Sequence, residues 1–151
     1  MFFRKQKPDL TRKEVIKLIA LATKPLNLQG VDLSGLYLRY MSLEKVNLSQ
    51  ANLCKTVLNF ANLKGADLRG ANLTGAYLVF TDLSGADLRG AKLTEANLFE
   101  ADLRGADLRG ADLDHTDLSD ADLRGADLTS VKYNGTIIQG TNLENVIGVK
   151  K

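Results

Sequence analysis

The chain of 151 residues has no tryptophan, only two prolines, one histidine and one cysteine. A single thiol, Cys54, excludes an intramolecular disulfide and with it the small secreted scaffolds held by bridges, so a reducing, cytoplasmic setting fits best. No stretch approaches the roughly 18 to 20 apolar residues that span a bilayer as a helix. Arg4, Lys5 and Lys7 ahead of an apolar run ending in Ala20-Leu21-Ala22 resemble an export signal. Lys17 interrupts that run, however, and Asp9 and Glu14 stand where a signal is basic or neutral, which leaves export as the minor reading.

Charge is scarce in sum and uneven in placement. The formal net charge is +2, yet residues 1–25 carry seven Lys/Arg against two Asp/Glu, whereas residues 26–145 carry eleven against sixteen. The acidity concentrates between residues 95 and 127, where ten carboxylates meet three arginines.

What is abundant is repetition. Leucine stands at every fifth position from Leu28 to Leu128, 21 times without a break, and Tyr133, Ile138 and Leu143 follow in register. Two places before each leucine the residue is small or apolar, as at Ala51, Ala66 and Ala71. Between them it is usually Asp or Asn, and two places after the leucine it is often Gly. The unit is A-[D/N]-L-x-G, and residues 26–145 hold 24 copies.

A period of five fits neither regular element. On a helix it smears leucine round every side, and on a flat strand it sends alternate leucines to opposite faces. All leucines face one core only if the chain turns once per repeat. A longer echo sets the number of turns: Gly-Ala-Asp-Leu-Arg-Gly-Ala begins at residues 65, 85 and 105, and Arg69, Arg89 and Arg109 share that spacing, as do Tyr40, Phe60 and Phe80. Four pentads per coil predict a square tube of six 20-residue coils, roughly 29 Å long at the usual strand spacing.

This pattern resembles the pentapeptide-repeat family over about four-fifths of the chain. The resemblance implies an all-β solenoid, a right-handed quadrilateral β-helix, with the leucine and the preceding small residue inside. The Asp/Asn position is broken at Tyr37, Val57, Tyr77, Lys92 and Ile137, and the Gly position at Tyr40, Phe60 and Phe80.

Stacked coils leave unpaired edges at both ends, so the ends need covers. Thr11-Arg-Lys-Glu14 is a capping box, flanked by Leu10 and Val15 at staple positions, and predicts a capping helix from about Arg12 to Thr23 that ends before Pro25. Val15, Leu18, Ile19 and Ala22 fall on one side of it. The first coil holds Leu26, Val31, Leu36 and Met41 at the inward small position, bulky enough to meet that helix. The basic residues then lie in solvent; a membrane-surface role for Phe2, Phe3, Arg4, Lys5 and Lys7 is the lesser reading. Val131, Thr136, Thr141 and Val146 enlarge the other end, but only residues 146–151 remain to cover it, which allows self-association through the last coil. Three segments result: a basic, helix-bearing stretch at 1–25, the repeats at 26–145, and a tail at 146–151.

A tube filled with leucine and alanine offers no pocket for catalysis, and no cofactor motif is present, so the chain reads as non-enzymatic. His115 and Cys54 fall at outward positions and read as a solvated imidazole and an inert thiol. The Asp67, Asp87, Asp107 and Asp127 column could attract calcium, but the calcium-binding nine-residue β-roll motif is absent and Arg69, Arg89 and Arg109 are expected to neutralise the column through cross-strand pairs. The same alternation disfavours nucleic acid as a partner.

The informative surface is the third face, where Tyr37, Tyr40, Val57, Phe60, Tyr77, Val79, Phe80 and Phe99 all point outward in this register. Either these side chains shield the tube, or they form a surface for a protein partner or a second copy. The candidate contact residues are Tyr37, Tyr40, Phe60, Tyr77, Phe80 and Phe99, with Glu100, Asp117 and Asp120 beyond them. Some relatives resemble B-form DNA, protect DNA gyrase from quinolones and dimerise through C-terminal helices. The family resemblance therefore also implies gyrase mimicry as the alternative, set against an interaction module with an unidentified protein partner.

Overall fold

The computed structural model describes residues 8–149. Phe2, Phe3, Arg4, Lys5 and Lys7, and the lysines that end the tail, lie outside the described residues.

Each pentad closes a β-turn. The N–H of the small residue donates to the leucine carbonyl three residues back, as in Ala51 to Leu48 and Ala71 to Leu68, both 3.0 Å. The fifth residue adopts a left-handed backbone, with φ of 62°, 63° and 64° at Gly65, Gly85 and Gly105, a conformation glycine enters without steric cost. The Asp or Asn at the second position explains itself locally. Its Oδ1 accepts the N–H two residues on, for example Ser49 to Asn47 at 3.0 Å and Ser84 to Asp82 at 2.9 Å, which fixes the entry to the turn.

The coils are stitched by parallel bridges of one residue each, running from Asn27–Asn47 to Asp127–Ile147, always at an offset of 20. In each bridge the outward residue offers both backbone groups to the preceding coil. Asp67 donates to Val46 O at 2.9 Å and accepts from Leu48 N–H at 2.7 Å. Numbering by pentad, face 1 begins at residues 26, 46, 66 and so on, face 2 at 31, face 3 at 36 and face 4 at 41. Every central leucine of a pentad, from Leu28 at each fifth position to Leu128, is buried, none more than 6 % exposed. Thr56, Thr81 and Thr116 replace alanine in the core, and their hydroxyls donate to Leu33, Leu58 and Leu93 carbonyls at 3.0, 2.9 and 2.7 Å. An unpartnered hydroxyl there would cost about 1–3 kcal/mol.

At the N-terminal end, α1 spans Arg12–Leu21 with the reciprocal Thr11–Glu14 capping box. It is shorter than the expected run to Thr23. Ala22 is already extended, its N–H bonded back to Ile19 O at 3.3 Å, because Pro25 disfavours helix at Lys24 and the chain must straighten to enter the first coil. Its buried side is also narrower than expected. Val15 is fully buried and Leu10 and Ile19 pack on the core, whereas Leu18 and Ala22 are exposed.

The free edge of the first coil is partly satisfied by this segment. Asp9 N–H donates to Asp32 O and Asp9 Oδ2 accepts Asp32 N–H, both at 2.8 Å, and Arg12 Nε donates to Tyr37 O at 2.8 Å. The opposite end is open. Tyr133, Ile138 and Leu143 hold the leucine position, have no coil above them among the described residues, and are 69, 55 and 37 % exposed. With Leu113, Leu118, Leu123 and Leu128 as its floor, this end is an apolar cavity of about 690 Å³. The chain leaves over face 1 through Gly148, where a Cβ would collide with the Thr129 backbone.

Because coils contact only their neighbours, damage at one end should stay local. Asp9→Ala is expected to remove about 1 kcal/mol from the first coil. Amide exchange checks this: protection should fall around Asp32 and stay unchanged beyond residue 100.

Candidate functional site

Faces 1 and 4 carry ordered charge ladders. Arg69, Arg89 and Arg109 each bind the Asp two residues earlier in the same coil, with Arg69 Nε and Nη2 on Asp67 at 2.8 and 2.6 Å. Arg104 and Arg124 repeat this on face 4 with Asp102 and Asp122. Contacts to the next coil are looser, 3.6 to 3.9 Å. The expected cross-strand pairing is therefore secondary. Residues i and i+2 flank an inward leucine and point to the same side, which brings the in-coil pair together first.

These arginines hold the Asp67, Asp102, Asp107 and Asp122 carboxyls below the usual carboxylate range, chiefly by hydrogen bonding. The arginines are correspondingly held more firmly charged. Such half-exposed pairs contribute little stability, but they cancel the local field. Among the described residues no group of three or more His, Cys, Asp or Glu side chains is placed to hold a metal ion, and no helix is long and apolar enough to cross a membrane.

Face 3 is different. Tyr40 stacks on Phe60 with ring centroids 5.1 Å apart, and Phe60 stacks on Phe80 at the same distance. Phe99 meets Phe80 edge-on at 6.1 Å. These four of the six candidate residues form one continuous ladder. Tyr37 and Tyr77 stand beside it, two coils apart, joined through the bridges each makes with Val57. They are 67 and 50 % exposed.

One participant escapes sequence reasoning: the Arg39 guanidinium lies 5.8 Å from the Tyr40 ring centroid and 5.9 Å from that of Phe60. Its only signal is its place at the variable pentad position beside Tyr40. A second is Asn59. With Tyr77 where an Asp or Asn would hold the turn, the Val79 N–H donates instead to Asn59 Oδ1 of the preceding coil at 3.2 Å.

The corner of face 3 is unusual in its backbone as well. Tyr40, Phe60, Phe80, Glu100 and Asp120 occupy the left-handed position in five consecutive coils, with φ between 52° and 61°. The other three corners carry glycine in several of those coils, such as Gly70, Gly90 and Gly110 on face 1. Beyond the aromatics, Glu100, Asp117 and Asp120 form no ion pair with Lys or Arg among the described residues, unlike Asp67, Asp87, Asp102, Asp107 and Asp122 of faces 1 and 4.

Comparison with known proteins agrees with this geometry. Pentapeptide repeats are matched over residues 32–70, 55–90, 71–110 and 91–129. A pentapeptide repeat protein from the Arabidopsis thaliana thylakoid lumen is 35 % identical over 72 % of this chain and 69 % of its own, with a TM-score of 0.50. Another from Nostoc Pcc 7120 is 28 % identical over 89 % of this chain and all of its own, with a TM-score of 0.58. QnrB1, a plasmid-mediated fluoroquinolone resistance protein, shares the fold at 17 % identity, with a TM-score of 0.53 over 80 % of this chain and 75 % of its own. No curated protein matches the sequence. With repeats matched across most of its length and relatives that share the coil, the chain belongs to the pentapeptide-repeat family, whose fold is the right-handed quadrilateral β-helix.

Proposed function

We propose that this chain is a non-enzymatic interaction module that binds a protein partner through face 3, with Tyr37, Tyr40, Phe60, Tyr77, Phe80 and Phe99 as the contact residues. Residues 26–145 form the module, residues 1–25 a basic segment bearing its capping helix and residues 146–151 its tail. The unpaired Cys54 suits a reducing cytoplasm.

The observation that carries the reading is the corner column from Tyr40 to Asp120, which holds no glycine in five consecutive coils. A left-handed backbone costs a non-glycine residue about 1–2 kcal/mol. Aromatic pairs return about 0.5–1.5 kcal/mol each. The three ring contacts thus roughly offset the strain at Tyr40, Phe60 and Phe80, and the ladder neither needs nor excludes a partner on stability grounds. Glu100 and Asp120 have no such offset: they are strained, exposed, of like charge and on adjacent coils. Strain of this kind clusters at binding surfaces; Glu95 and His115 carry it on face 2 as well, but without an aromatic ladder beside them.

The alternative, phosphate-like mimicry directed at DNA gyrase, draws support from the fold shared with QnrB1 alone. The Asp–Arg ladders of faces 1 and 4 count against it, since a field of paired charges does not imitate a phosphate backbone. Self-association has its own observation in its favour, the open apolar end with its unpaired backbone edge.

Three outcomes follow. Glu100→Gly and Asp120→Gly should each raise stability, by up to about 1 kcal/mol, in chemical denaturation, because glycine relieves the left-handed strain. Phe60→Ser with Phe80→Ser should leave the β-helix circular dichroism intact while abolishing retention of a specific protein from a native-host extract, and the unaltered chain should leave gyrase supercoiling unchanged. Unfolding of the double variant would make the ladder structural, and gyrase inhibition at low protein concentration would favour mimicry. If the last coil self-associates, light scattering should show a dimer that Ile138→Asp converts to a monomer; a monomer from the outset removes that reading.

A further inference from the structure

Face 3 is polarised along the tube, and that polarity specifies partner chemistry, given that face 3 is the binding surface. Its first three coils present Tyr37, Tyr40, Phe60, Tyr77 and Phe80, and the only cation among the described residues of this face before the last coil, Arg39, lies over the rings at that end. The next two coils present Glu100, Asp117 and Asp120 in the same columns. Elsewhere on the tube the Asp67, Asp87, Asp102, Asp107 and Asp122 carboxylates are each held by an arginine of their own coil. Glu100, Asp117 and Asp120 have no such arginine, so the apolar strip of face 3 ends on net negative charge.

Spacing discriminates between partner conformations. Successive coils are about 4.8 Å apart, so the four steps from Tyr40 to Asp120 cover about 19 Å. An α-helix advances about 22 Å in four turns. Four same-side steps of an extended strand take about 26 Å, and fall out of register within two coils. An anionic membrane surface would be repelled by the three carboxylates, and a nucleic-acid backbone likewise.

We propose that face 3 receives a basic amphipathic helix of a protein partner, with apolar side chains of two successive turns on Phe60 and Phe80 and lysines or arginines one or two turns further on against Glu100, Asp117 and Asp120. The aromatic strip supplies buried apolar area and the carboxylates fix direction along the tube.

The test uses the full chain and two synthetic helical peptides. One carries leucines on one side of its first two turns and lysines on the same side of the next two; its twin carries glutamates in place of the lysines. Fluorescence anisotropy should show the lysine peptide binding at least about tenfold more tightly than the twin, with affinity falling as salt rises. The triple variant Glu100→Gln, Asp117→Asn, Asp120→Asn keeps the Asp117 acceptor for Ser119 N–H, which is 2.9 Å away in the parent. It should weaken the lysine peptide about tenfold and, with the like-charge repulsion removed, bind the twin at least as tightly as the parent does. Equal binding of both peptides, lost in the Phe60→Ser, Phe80→Ser variant, would retain face 3 as a binding surface and overturn the basic partner. Binding that ignores the double variant would overturn face 3 itself. Failure of the lysine peptide to bind at millimolar concentration would overturn the helix.

Discussion

The hydrogen bond from each central leucine N–H to the carbonyl of the outward residue on the next coil is the constraint on which the rest of this molecule depends. It recurs at 2.7 to 2.9 Å from Leu28 to Leu128 and ties residue n to residue n+19. A ladder so regular admits neither insertion nor deletion, because a one-residue slip would turn every leucine out of the core. The pentad serves that bond. The Asp or Asn oxygen fixes the turn entry, the left-handed fifth residue completes the corner, and the small first residue leaves room for leucines from four faces to meet.

Surface chemistry is consequently laid out on a lattice that the core sets. Any residue type at the outward positions is repeated, or not, every 20 residues, and columns of like residues face one another at strand spacing. A column of carboxylates alone would repel itself, and faces 1 and 4 avoid this by placing arginine two residues after aspartate. Face 3 resolves its columns differently, by stacking rings in its first coils, and leaves Glu100 and Asp120 exposed and strained. These two solutions distinguish face 3, the proposed binding surface, from the charged faces.

The ends obey another rule. A coil has a donor–acceptor row on each rim, and segments outside the repeats partner both in part: Asp9 and Arg12 at the rim near α1, and Ile147 over face 1 at the other. Nothing in the pentad encodes these contacts. The capping box was legible because its chemistry is local, four residues long. The premature end of α1 and the exposure of Leu18 were not, since they depend on how a short helix must lie to feed Pro25 into the first coil.

By itself the sequence determined the repeat, its 20-residue echo, the inward leucines and the clustering of aromatics on one face, because each follows from spacing along the chain and from the two-sidedness of an extended backbone. Only the tertiary structure decided that arginines prefer the aspartate of their own coil, that Asn59 takes over the Val79 N–H, that Arg39 lies over the ring ladder, and that Glu100 and Asp120 sit in strained corners without a compensating cation. Those features depend on side-chain direction and on distances between coils 20 residues apart, which residue spacing does not resolve.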